Sequence, residues 1–381
     1  MTHPLHALEA GLGGCSQPDV STSPNSSSPL GRPLRVVHVG PCFTRGGAEQ
    51  QLIDLVRFLN PARVRIEYCI ATTPEMVDPE VVADMPVPVE VGGPEAIRRA
   101  ATECDVMLFW GLEVDGLLGD CRPELCVFLA HGESDWTRDL LAGSAAAVDH
   151  VVAVSRRVRD QVCAGFPCTV ILNGVDTARL GRTCTRREMR ARLGFRHRDF
   201  VLGYVGRFSP EKRTDTILRA VAELPASFKA LLVGWGADRN RLIELANELI
   251  PGRFAFARAN SHLGDYYQTL DALCLLSEYE GFALVVVEAM MCGRPVIATP
   301  VGSIPETIID RVNGMIVDGD VASVCEAARL LRRHPHWAAA IAREGKRFAD
   351  LHGHARSMAR QYESLIERLW AEKHPASRTD C

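Results

Sequence analysis

Four charged residues in the second half of the chain are spaced to grip a phosphate-bearing ligand rather than to act as a close acid–base pair. Glu280 and Glu288 flank Gly281, Phe282, Ala283 and Leu284, a stretch that reads as a loop running straight into a helix after an apolar strand at residues 273–276. The first turn of a helix carries unpaired backbone N–H groups and the positive end of the macrodipole, which makes it a ready site for phosphate. The pattern predicts Glu280 just before the helix and Glu288 two turns inside it. At a helical rise of about 1.5 Å per residue, the two carboxylates stand on the order of 12 Å apart. They are too distant to share a proton and suited to opposite ends of an elongated ligand. Arg207 and Lys212 share one loop after another apolar strand. A guanidinium and an ammonium together match a diphosphate through charge-assisted hydrogen bonds. The plainer alternative is a solvated basic turn, because Glu211 and Arg213 lie beside them.

The elements that must position these groups alternate regularly. Residues 34–40 form a β-rich run, followed by a loop with Gly46 and Gly47 and a segment whose apolar positions 52, 55, 56 and 59 have helical spacing. Strand, glycine loop and helix open a parallel α/β sheet. Gly46 and Gly47 allow close backbone approach to a ligand, although a tight strand-to-helix turn explains a lone Gly-Gly more simply. Further apolar runs at 105–110 and 126–130 suit strands buried on both faces. The second ends at His131, placed at a strand carboxyl end, where such sheets bind ligands; a packing role is the alternative. The stretch 179–192 is basic and polar and reads as the break between two sheets. A second α/β series starts at Phe200, and helical periodicity runs from about Val321 to Trp370 with a break near Pro335. Gly234-x-Gly236-x-x-Arg239 resembles a dinucleotide fingerprint with arginine in place of the third glycine, a poor match for nicotinamide or flavin binding. His334, His336, His352 and His354 are paired two apart, which separates their rings on a helix and argues against a metal site.

Composition excludes several classes. The 381 residues suffice for two or three domains, and the net charge of −4 gives no electrostatic case for nucleic acid. No run approaches the roughly 20 apolar residues of a membrane span. Residues 1–33 are rich in Ser, Pro and Gly and read as a disordered tail without the features of a signal peptide. The thirteen cysteines are odd in number and contain no C-x-x-C pair, so free cysteines in a reducing, cytoplasmic setting are expected.

With these residues in view, the chain from about 34 to 370 resembles the retaining glycosyltransferases of family 4, with the GT-B fold. The resemblance rests on Glu280 and Glu288 followed by Ala289-Met290-x-Cys292-Gly293-x-Pro295, on Gly206-Arg207 with Lys212, on Asn173-Gly174-Val175-Asp176, and on Gly46-Gly47-Ala48-Glu49, in that family's order. It implies two facing Rossmann-like α/β domains with a cleft: residues 34–178 on the acceptor side, 179–354 binding the nucleotide-sugar, and a C-terminal segment 355–381 whose helix crosses back to the first domain.

The implied reaction moves a sugar from a nucleotide-diphosphate donor, a UDP- or GDP-sugar, to an acceptor hydroxyl with retention, without a metal or other cofactor. The acceptor would be a glycan, a lipid-linked molecule or a small molecule, with peripheral membrane contact allowed and no nucleic-acid partner. By the same resemblance, Arg207 and Lys212 bind the diphosphate, and Glu280 with Gly281 and the backbone at Phe282, Ala283 and Leu284 holds the donor sugar. Glu288 meets the ribose, Gly47 lies near the diphosphate and His131 lies near the reacting sugar. Ala283 and Ser303 stand where the family commonly has glycine, and the loop 258–262 lacks its usual glycine. A nucleotide-sugar epimerase or a catalytically silent sugar-nucleotide-binding protein remains an alternative on the same fold.

Overall fold

The computed structural model describes residues 31–259 and 262–375. The tail expected at residues 1–33 falls largely outside these, as do Asn260 and Ser261 of the loop without its usual glycine. Arg32, at the end of that expected tail, is anchored: its guanidinium donates to both oxygens of Asp105 at 2.6 and 2.9 Å. Among the described residues no helix is long and apolar enough to cross a membrane.

The described residues divide into two compact units, one comprising residues 31–174 together with 355–375, the other lying within Val175–His354. The first unit holds β1 (Leu34–Gly40), β2 (Val64–Ala71), β3 (Val89–Val91), β4 (Val106–Phe109), β5 (Leu125–Ala130), β6 (His150–Ala153) and β7 (Cys168–Val170). They form one sheet in the order β3-β2-β1-β4-β5-β6-β7, with every ladder parallel. Every residue of β4 and β5 is buried, which is why these runs are apolar without alternation. The helix Ala355–Lys373 belongs to this unit. Met358, Tyr362 and Ile366 enter its core, Gln51 donates to the Tyr362 hydroxyl at 3.3 Å, and Arg63 donates to Glu367 at 2.9 Å. Glu363 accepts the backbone N–H of Asn60, so the last helix of the chain is a structural part of the sheet built first.

The second unit holds β8 (Phe200–Arg207), β9 (Phe228–Trp235), β10 (Phe254–Ala257), β11 (Ala272–Leu275), β12 (Val296–Ala298) and β13 (Met315–Ile316). The order is β10-β9-β8-β11-β12-β13, again all parallel. In both sheets the chain reverses direction of growth at the middle, between β1 and β4 and between β8 and β11. Those switch points leave a crevice at the strand carboxyl ends, where open α/β sheets bind ligands.

The basic stretch 179–192 does fall between the two sheets, and it is folded rather than an open linker. Residues Arg186–Arg192 form a helix whose start has a reciprocal capping box between Thr185 and Glu188. Arg190 is 3% exposed. Its guanidinium donates to the Thr269 carbonyl at 2.8 Å and to Asp271 at 2.6 Å, and Arg186 donates to Asp271 at 2.6 Å. The buried Arg190 and the half-buried Arg186 clamp the helix onto the amino-terminal edge of β11.

Gly234 and Gly236 likewise have a packing explanation. Both have φ in the positive region, and a Cβ would stand 1.8 Å from the Gly206 carbonyl oxygen at Gly234 and 2.2 Å from that of Phe208 at Gly236. The two glycines let the end of β9 press against the end of β8, and the apparent dinucleotide fingerprint needs no dinucleotide. The eleven cysteines among the described residues are free, seven of them buried.

Candidate functional site

β8 ends at Arg207, and β11 leads through Leu276 into the loop Ser277–Ala283, so the two loops rise from neighbouring strands at the switch point. The backbone N–H of Glu278 donates to the Glu211 carbonyl at 2.9 Å, tying one loop to the other. Between them the Lys212 ammonium donates to Glu280 Oε1 at 2.8 Å, and the Ser277 hydroxyl donates to the same oxygen at 2.7 Å. Lys212 and Glu280 side chains are 16% and 13% exposed, a partly buried pair at the floor of the crevice. Arg207 lies farther out, 59% exposed, against Glu211 at 3.3 Å. A pair this exposed on the arginine side is worth little, so it holds the guanidinium only weakly. The structure therefore brings Lys212 and Glu280 into direct contact and leaves Arg207 beside them on the same loop.

The helix after this loop is Leu284–Met291, with Ala283 at its N-cap and no side-chain cap. Glu288 thus lies little more than one turn inside it, not two, because the polar loop continues through Phe282 and Ala283. Gly281 and Phe282 are half-buried in that loop and Leu284 is buried at the helix start. Ala283 donates its backbone N–H to the Ser303 hydroxyl at 3.3 Å. The two positions at which the chain departs from the family pattern are therefore bonded to each other. Gly302, at φ +53, lies under Glu280: a Cβ there would stand 2.6 Å from the Glu280 carbonyl oxygen. Thr299 Oγ1 donates to the Ser277 carbonyl at 2.6 Å, holding the other end of the loop.

Glu288 is 1% exposed. Arg179 forms an ion pair with its Oε1, and the Tyr267 hydroxyl donates to Oε2 at 2.5 Å. Burial, then the Glu288 carboxylate, hold the Tyr267 phenol well above its ordinary pKa, so it stays a donor at any working pH. Arg179, Tyr267, Ser277 and Ser303 were not singled out as site residues from sequence. Asp176, within the Asn173–Asp176 motif, marks the region of Arg179, since its side chain caps the turn Thr177–Leu180 that carries it.

In the first unit, Gly46 and Gly47 open the helix Gly47–Phe58, and both are exposed. A Cβ on Gly46 would meet Glu49 Oε2 at 2.5 Å. The Glu49 side chain folds back there to accept from the Thr44 backbone N–H at 3.2 Å and hydroxyl at 3.1 Å. Gly46 therefore makes room for a carboxylate that closes the turn. His131 follows β5 and makes an edge contact with Trp110, ring centroids 5.5 Å apart. Burial pushes its pKa down to about 4, so the ring is neutral at pH 7 and able to accept or donate a hydrogen bond. His38, on β1 and 1% exposed, is pushed down to about 3, first by burial and then by His131.

Residues 185–348 match the family model for glycosyl transferases group 1. The chain is 35% identical over 224 residues to D-inositol 3-phosphate glycosyltransferase of Rhodococcus opacus, covering 54% of this chain and 50% of that protein. It is 35% identical over 170 residues to the protein of the same name from Mycobacterium tuberculosis, covering 39% and 35%. The chain thus spans about half or less of the length of these curated relatives. Among solved structures, HepE of Anabaena in complex with UDP-glucose superposes with a TM-score of 0.78 at 21% identity, covering 88% of this chain and all of that one (100%). Sucrose-phosphate synthase of Thermosynechococcus elongatus gives 0.72 at 20% identity, covering 89% and 100%. The second unit thus carries the match to the group 1 glycosyltransferases, and the two sheets have the GT-B fold of the superposed structures.

Proposed function

We propose that the protein transfers a sugar from a nucleoside-diphosphate sugar to an acceptor hydroxyl, with retention of anomeric configuration and without a metal. The observation that carries this reading is the Lys212–Glu280 contact at the β8/β11 switch point, beside a helix start without a side-chain cap. An ammonium there neutralises a diphosphate, and Arg207 swings in as a second cation. Glu280 accepts from hydroxyls of the donor sugar, and the N–H groups at the helix start face the phosphates. Glu288, with its Arg179 and Tyr267 partners, forms the polar wall for the ribose. Charge develops on the leaving diphosphate as the glycosidic bond breaks, and cations already in place stabilise it; removing one donor of this kind costs on the order of a hundredfold or more in rate. The same-face reading rests on family likeness and on the acceptor proton passing to the departing phosphate oxygen, with Lys212 and Arg207 holding that oxygen in position. HepE bound to UDP-glucose supports a nucleotide-sugar donor. The relatives' name places D-inositol 3-phosphate among the acceptors to try.

The test is donor consumption and product formation with UDP- and GDP-sugars and an acceptor panel, comparing wild type with Glu280→Ala and Lys212→Ala. Loss of transfer by both variants, each with an intact folding transition, is the expected result. Wild-type turnover by either variant overturns the site assignment, and product formation without acceptor points to epimerisation.

A further inference from the structure

Trp136 is 55% exposed, and its position argues against an incidental surface aromatic. It lies in the first turn of the helix Asp135–Ala142, directly after the loop that leaves β5 through His131, and Ser134 caps that helix by accepting from the Thr137 N–H. One edge of the indole is packed. A Cβ on Gly111, at φ +66, would lie 3.5 Å from Trp136 Cη2 and 2.8 Å from Pro41 Cγ. Gly111 follows Trp110, whose ring meets His131 edge-on. Loops from β1, β4 and β5 thus converge at the carboxyl end of the first unit's sheet, where Gly111 approaches both Pro41 and the indole edge, and much of the Trp136 surface stays open on the loop that begins at His131.

The two carboxylates that precede Trp136 most closely in the chain are each paired with an arginine. Glu133 pairs with Arg157 at 2.5 Å, and Asp135 pairs with Arg138 at 2.9 Å. A large π face beside paired carboxylates fits an apolar C–H face that carries polar edges, which describes a pyranose ring. A phosphorylated polyol would call for unbalanced cations at this rim.

We propose that Trp136 forms an acceptor subsite that stacks on a pyranose ring of a neutral glycoside beside His131. This rests on the transfer reading above, and it narrows the acceptor to carbohydrate.

The test is saturation-transfer NMR on the full chain with maltose, cellobiose and mannobiose as probes, with inositol 3-phosphate and phosphatidylglycerol vesicles as competing classes. Stabilisation by UDP and GDP is followed in parallel. Wild type is expected to transfer saturation to ring C–H protons of at least one disaccharide. Trp136→Ala should weaken that binding roughly fivefold to tenfold, the scale of one aromatic contact. Trp136→Phe should retain part of it, and stabilisation by nucleotide should match wild type in both. Equal saturation in Trp136→Ala, no saturation of any disaccharide, a preference for inositol 3-phosphate, or Trp136-dependent binding to vesicles instead of sugar each overturns the proposal. Trp136-dependent sugar binding by a protein that no nucleotide stabilises supports the sugar subsite while removing the transfer reading.

Discussion

At the scale of single residues, the buried carboxylate of Glu288 depends on its partners. Removing Arg179 leaves a charge at 1% exposure with only Tyr267 to meet it. Breaking a buried pair by deleting one partner destabilises by about 3–5 kcal/mol, so Arg179→Ala should lower urea stability of the second unit by that order, and a neutral variant at position 288 should recover part of it. None of this was readable from spacing, because Arg179 and Glu288 lie 109 positions apart in sequence. Lys212 and Glu280 are 68 apart but stood out, since each follows an apolar strand and opens a loop. His38 makes a pH prediction. Its folded pKa of about 3 lies below the ordinary 6.5, so the unfolded chain binds the proton more readily. Stability is therefore full above about pH 6.5 and falls as the pH drops toward 3, by about 1.4 kcal/mol per pH unit for this group. Urea unfolding at pH 7 and 5.5 should show a loss of about 1 kcal/mol from this group in wild type and a smaller loss in His38→Asn; equal losses would show that His38 is not the group responsible.

At the scale of elements, the donor loop is shaped by what lies beneath it. Gly302 at φ +53 supports the Glu280 backbone, and alanine there combines a strained backbone with a collision against a carbonyl. Gly302→Ala should displace Glu280 and weaken nucleotide-sugar binding by tenfold or more, about 1.4 kcal/mol, measured by calorimetric titration, with little change in the affinity of the bare nucleotide. The Ala283–Ser303 hydrogen bond takes up one N–H at the sugar end of the site. Ser303→Gly frees it, and relative turnover of two donor sugars sharing one base should change, while affinity for the nucleoside diphosphate stays constant; an unchanged donor ratio would remove Ser303 from sugar choice. Most of the strands and the location of this loop were legible because buried parallel strands write themselves as apolar runs, whereas their order across the sheet was not. The Arg186–Arg192 helix was missed because its basic composition looks solvated, although Thr185 and Glu188 spelled out a capping box. The Gly234–Gly236 pair showed the opposite problem: glycines required by backbone packing imitate glycines required by a ligand.

At the scale of the whole molecule, each unit has its own sheet and its own hydrophobic core, and the last helix is built into the core of the first. In the proposed reaction, nucleotide recognition falls to the second unit through Lys212, Glu280 and Arg207, and sugar-acceptor contact to the first through His131 and Trp136. A ligand that binds only the folded state stabilises it, by about 2.7 kcal/mol at a hundred times its dissociation constant. The direct test of the central claim is a thermal-unfolding series of the full chain with UDP, GDP, ADP and their sugars, in wild type and in Lys212→Ala. UDP or GDP and its sugar are expected to raise the midpoint of wild type selectively, and Lys212→Ala is expected to fold but lose the shift. An equal shift in Lys212→Ala, or none in wild type with any nucleotide, would contradict the central claim.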